Sequence, residues 1–240
     1  MKNFDLSYRS RFVWLAVFAV AMGFLEGIVV IYLRELYYPQ GFGFPLKTML
    51  PELVSIEWIR ETATLIMLAA VGIIAGRNNL QRLMYFLFVF GVWDIFYYVA
   101  LKLLIGWPAS LLTWDLLFLI PVSWLSPVLA PVICSVTMIV MAVLVIGKQE
   151  KGFTVDSRPV DWTLIAAGAA IILFTFMVDY MKLTIDSGVL GSENSSGTRE
   201  QLINMITNYV PDKYNWFLFI TGELMIMAAT LKIMIQTNRK

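Results

Sequence analysis

Residues 82–105 read RLMYFLFVFGVWDIFYYVALKLLI. At about 1.5 Å of rise per residue such a helix spans about 36 Å, enough to cross a hydrocarbon layer of about 30 Å. Beyond Arg82 its charges are Asp94, near the middle, and Lys102, near the end. An ionised side chain at that depth costs roughly 2.5–3.5 kcal/mol on insertion scales, so it is expected to face protein or a polar cavity instead of lipid. This one stretch names the class of protein and a place to look for its function.

Reading outward for apolar runs of similar length gives five more spans, near residues 12–33, 56–76, 125–147, 161–182 and 214–236. The expected fold is all-α, a polytopic integral membrane protein of six transmembrane helices forming a single domain over residues 1–240. Breakers and charges fall at the ends of the runs: Arg34-Glu35 and Pro39, Arg77-Asn78-Asn79, Gly106-Trp107-Pro108, Gly147-Lys148 and Pro211-Asp212-Lys213. Composition agrees, since 59% hydrophobic and 15% charged residues leave too little polar surface to coat a soluble domain of this length. The lipid bilayer is therefore the first partner. A net charge of +1 with scattered Lys and Arg offers no basic field, which excludes nucleic acid as another.

The first run has a basic start and Ala19-Val20-Ala21, as a secretory signal would, but it continues to Leu33 and is expected to stay as a span. Ser110 to Ile120 is apolar yet rises only about 16 Å as a helix, too short to cross. It is expected to form a short half-helix or re-entrant segment, with Pro121, Pro127 and Pro131 breaking the path into the fourth span. Six spans with the N-terminus inside place eleven of the 18 Lys and Arg on the cytoplasmic side. A seventh span would erase that bias, so both termini are expected in the cytoplasm of a cell (inner) membrane protein. Two long outer loops follow from this topology, residues 34–55 and 184–213. The second carries a candidate amphipathic helix with Leu202, Ile203, Met205, Ile206 and Tyr209 on its apolar side, preceded by the sequon Asn194-Ser195-Ser196.

Five carboxylates lie within or at the mouth of the spans: Glu26, Asp94, Asp115, Asp179 and Glu223. Counting helix rise puts Glu26, Asp94 and Glu223 about 10–16 Å below the outer ends of three different helices, and one common cavity open to the outer face is expected to hold them. On the first span Ala19, Gly23 and Gly27 form a stripe of small residues that admits a neighbouring helix and turns Glu26 toward protein. On the third, Asp94, Tyr98 and Lys102 follow at spacings of four. Trp93 and Trp114 each precede an aspartate, and Arg60 can pair with Glu57 one turn before it. The candidate ligand-binding set is therefore Glu26, Arg60, Trp93, Asp94, Tyr98, Lys102, Trp114, Asp115 and Glu223. Glu57 with Arg60 and Asp179 with Lys182 read first as pairs near helix ends, within reach of water.

With no histidine and one cysteine, Cys134, the chain lacks the usual parts for catalytic zinc, histidine-ligated haem and Ser-His or Cys-His chemistry. No cofactor is indicated. Carboxylates beside aromatic rings suit a hard cation or an organic ammonium, and Arg34, Arg60 and Lys102 suit the negative end of a zwitterion. The expected function is binding or transport of a cation or small zwitterion. Two alternatives stand beside it: an accessory subunit with partner membrane subunits, and an intramembrane enzyme acting on a lipid-linked substrate.

Overall fold

A computed structural model describes residues 7–155, 158–188 and 196–239. Six of its helices are long and apolar enough to cross a membrane: α1 (Tyr8–Tyr37), α2 (Pro51–Ala75), α3 (Asn79–Ile105), α4 (Leu129–Glu150), α5 (Pro159–Asp186) and α7 (Trp216–Ile235). A shorter helix, α6 (Ser196–Asn208), lies between the last two spans. The chain is thus an all-α multipass membrane protein. The sequon residues Asn194 and Ser195 lie outside the described residues.

Local signals explain the boundaries. Asn78 caps α3 by accepting the Gln81 backbone N–H at 2.9 Å, and Asn215 caps α7 through Leu218 at 3.1 Å. Pro51 and Pro159 occupy the first positions of α2 and α5, where their missing N–H costs nothing. Gly106 ends α3 with φ +72°, a left-handed conformation in which a side chain would be strained.

Helix α3 is the axis of the bundle. It packs against α1, α2 and α4, while α5 pairs with α7 and this pair joins the rest through α4. Lipid offers no hydrophobic drive between helices, so close approach of backbones has to supply dispersion contact. The small-residue stripe of α1 does this as expected: Ala19 is fully buried, and a Cβ on Gly23 would come within 2.7 Å of the Trp93 carbonyl oxygen. Gly168 and Gly222 serve α5 and α7 in the same manner, each opposing the other's carbonyl. Large apolar side chains such as Ile74, Leu103, Phe217 and Ile235 face outward, where lipid would meet them.

Between α3 and α4 the structure corrects one expectation. Residues 110–120 are not helical: Trp114–Leu116 (β1) pairs antiparallel with Leu125–Pro127 (β2), with Asp115 opposite Ser126. The hairpin is tied further by Leu117 N–H to the Trp124 carbonyl (2.9 Å) and Val128 N–H to the Thr113 carbonyl (3.0 Å). Prolines 121 and 127 disfavour a helix through this segment, and pairing two short strands is the remaining way to satisfy their backbone groups away from water. It also delays the fourth span, which starts at Leu129 instead of 125.

At the opposite end of the bundle Lys232 on α7 pairs with Asp161 on α5 at 2.6 Å. There Phe153–Thr154 (β3) also pairs with Asn238–Arg239 (β4). This end holds the start of α1 and the end of α7, and the other, the hairpin end, holds the cavity.

Candidate functional site

Three helices and the hairpin build a cavity of about 380 Å³ at the hairpin end. Glu26 and Arg34 enter from α1, Glu57, Arg60 and Glu61 from α2, Trp93, Asp94, Tyr97 and Tyr98 from α3, and Asp115 from β1. Beyond them lie wall residues of α4, α5 and α6, among them Ser135, Phe176 and Ile206. Five carboxylates and two guanidiniums thus share one enclosure, with Lys47 at its mouth.

The two arginines are committed. Arg34 is 8% exposed and donates to Asp115 Oδ1 at 2.9 Å, while its guanidinium lies over the rings of Trp107 (3.8 Å) and Phe42 (4.2 Å). Arg60 gathers three acids: it pairs directly with Glu26, donates to Glu57 at 2.8 Å and lies 4.0 Å from Glu61. Glu61 also accepts the Leu119 backbone N–H at 3.0 Å, which pins the hairpin to α2. Glu26 further accepts the Thr64 hydroxyl at 3.3 Å.

Asp94 is different. It is 9% exposed and accepts the Ser135 hydroxyl at 2.8 Å, but among the described residues no cationic side chain pairs with it. Its neighbours are aromatic. A string of rings runs from Phe90 to Trp93 (5.3 Å), Phe118 (6.2 Å), Trp124 (5.3 Å) and Phe176 (6.1 Å), crossing from α3 through the hairpin to α5. At the mouth, Lys47 sits 5.4 Å from the Tyr38 ring centre, and its backbone N–H donates to the Tyr38 hydroxyl at 2.7 Å. Burial pushes the Tyr38 hydroxyl above its ordinary pKa, while that N–H and Arg34 pull it back.

Of the nine candidate residues, six line the cavity: Glu26, Arg60, Trp93, Asp94, Tyr98 and Asp115. Three do not. Trp114 neighbours Asp115 on a strand, so its side chain takes the other face and its ring lies 6.0 Å from that of Tyr214. Lys102 closes the last turn of α3, donating to the Gly106 (3.1 Å) and Pro108 (2.8 Å) carbonyls. Glu223 accepts the Thr137 hydroxyl at 2.8 Å. Thr137 and Ser135 stand about 200° apart around α4, so the expected meeting of Glu26, Asp94 and Glu223 holds for the first two, and α4 keeps the third away.

Sequence reasoning underrated Arg34, Glu57 and Glu61. A signal existed for each. Arg34 falls seven residues after Gly27, on the same stripe that faces α3, and Glu57 and Glu61 open the buried stripe of α2 that continues through Thr64, Leu68 and Gly72. Among the described residues no three acidic or cysteine side chains are grouped to hold a metal ion; Glu26, Glu57 and Glu61 are instead gathered around Arg60. Comparison with protein-family models, with curated proteins and with solved structures returns no match.

Proposed function

We propose that this chain binds, and in doing so transports or captures, a small organic cation or zwitterion at the hairpin end of the bundle. The observation that carries the reading is Asp94: a buried carboxylate with a single hydroxyl as partner, in a cavity also lined by Trp93, Tyr97, Tyr98, Phe118 and Trp124. A buried charge that lacks a counter-ion is costly, and an ammonium on an aromatic face supplies both the charge and a cation–π contact of about 0.5–2 kcal/mol. Arg34 and Arg60 are already engaged with carboxylates, so they do not compensate it. Lys47, paired with no carboxylate among the described residues, stands at the mouth and suits the negative end of a zwitterion. With the termini in the cytoplasm, as the basic-residue bias favours, the mouth opens to the outside.

The test uses tetramethylammonium, choline and glycine betaine as probes on the full chain in lipid nanodiscs. Saturable binding of at least one is expected, with a rise in melting temperature. Asp94→Asn, which keeps the volume and removes the charge, should weaken that binding by roughly 5- to 150-fold, the equivalent of about 1–3 kcal/mol. Binding that is undiminished in a less stable Asp94→Asn protein would make Asp94 a scaffold residue and withdraw the site.

A further inference from the structure

Among the described residues, no helix-to-helix packing closes the cavity between α2 and the α5–α6 segment. Helix α2 packs on α3 and has no comparable packing against α4, α5, α6 or α7 among the described residues. The cavity is nonetheless lined on one flank by α2 and on the other by α4, α5 and α6. Both flanks carry apolar side chains: Val54 and Trp58 on α2, Met138 on α4, Phe176 on α5, and Ile203 and Ile206 on α6. Trp58 is 46% and Ile203 39% exposed, so neither is sealed off by packing within the bundle. The charged groups of the lining come from α1, α2, α3, the α1–α2 loop and the hairpin, whereas α4, α5 and α6 contribute only uncharged side chains.

An enclosure that combines carboxylates with an apolar slot between α2 and the α5–α6 segment is matched to an amphiphile. A water-soluble cation needs the acids but not the slot. Trp58 and Phe176 both lie within helices long and apolar enough to cross a membrane, so a gap between α2 and α5 would face lipid. A volume of about 380 Å³ holds a headgroup and the first part of a chain, and the lack of packing between α2 and α6 would let the remainder out.

We infer that the occupant is a single-chain or double-chain lipid with a cationic or zwitterionic headgroup, which enters sideways from the bilayer between α2 and the α5–α6 segment. The inference rests on the binding reading above and narrows its ligand class. The headgroup ammonium sits at Asp94 among the rings of Trp93, Tyr97 and Tyr98, and the chain lies along Trp58, Met138 and Ile206 into the membrane.

Alkyltrimethylammonium ions of increasing chain length, from tetramethyl to decyl, separate the two parts. Binding to the full chain in dodecyl maltoside micelles, whose headgroup carries no ammonium to compete, is measured by intrinsic tryptophan fluorescence and corrected for partition into empty micelles. Affinity is expected to rise at least about tenfold from tetramethyl to decyl, because each buried methylene adds to the free energy of transfer. Ile206→Glu, on the short helix outside the spans, should shrink the ratio of decyl to tetramethyl affinity several-fold, and Trp58→Ser should do the same. Saturable tetramethylammonium binding with no gain from chain length, or a ratio unmoved by both substitutions, overturns the lateral lipid site and leaves the headgroup site standing. Absence of binding across the whole series, or binding indifferent to Asp94→Asn, removes the headgroup site and this inference with it.

Discussion

Asp115 and Arg34 show how much one buried contact carries. Asp115 is fully buried at the centre of β1 and Arg34 nearly so at the end of α1, 81 residues apart in sequence. Removing one member leaves the other charged and uncompensated in a dry site, a loss of about 3–5 kcal/mol, whereas replacing both with apolar groups is often near neutral. Asp115→Ala is therefore expected to lower the melting temperature sharply, and the double variant Arg34→Leu with Asp115→Ala to melt higher than Asp115→Ala alone. Thermal melts of the variants in detergent check this, and single and double variants of equal stability would show that the pair is not what anchors the hairpin. Arg34→Lys is a finer probe: a lysine keeps the charge but loses the planar group that lies over Trp107 and Phe42, so it should recover only part of the stability.

Helices in lipid hold together where they can come close, and the glycines mark those places. A Cβ on Gly222 would lie 2.7 Å from the Gly168 carbonyl oxygen, whereas one on Gly147 meets nothing within 4 Å. Gly222→Ala should thus push α7 from α5 and cost about 1–3 kcal/mol, the scale of overpacking, while Gly147→Ala should change stability by less than about 0.5 kcal/mol. Equal unfolding midpoints for the two variants would mean that α5 and α7 are not held by backbone contact. The hairpin obeys a different rule. Its strands are three residues each and could not persist alone, but Glu61 holds the Leu119 N–H and Arg34 holds Asp115, so two helices clamp it from either side.

For the molecule as a whole, six crossings bring the start of α1 and the end of α7 to one side and gather the α1–α2 loop, the hairpin, α6 and the cavity at the other. The excess of Lys and Arg at the terminal end predicts that this end is cytoplasmic. In a Cys134→Ala background, a cysteine at position 48 should react with a membrane-impermeant maleimide added to intact cells, and one at position 237 should react only after lysis. The reverse pattern would invert the bundle, and labelling of both would require an odd number of spans.

Six spans were legible in the sequence alone because lipid imposes a simple demand: about twenty apolar residues, internally hydrogen-bonded, with breakers at the ends. The small-residue face of α1 was legible too, since helical period alone places Ala19, Gly23 and Gly27 together, and so was the likelihood that Glu26 and Asp94 point inward. The hairpin was not. Its strands are too short to show an alternating pattern, and what stabilises them lies on α1 and α2, far away in sequence. Depth counted along separate helices could not say which acids meet, because depth fixes one coordinate and the packing of α4 between Asp94 and Glu223 fixes another. Only the tertiary structure assigned Arg34 to Asp115 and Arg60 to three acids, leaving Asp94 with a hydroxyl, since which charges pair is settled by the three-dimensional neighbours of each group and not by spacing along the chain.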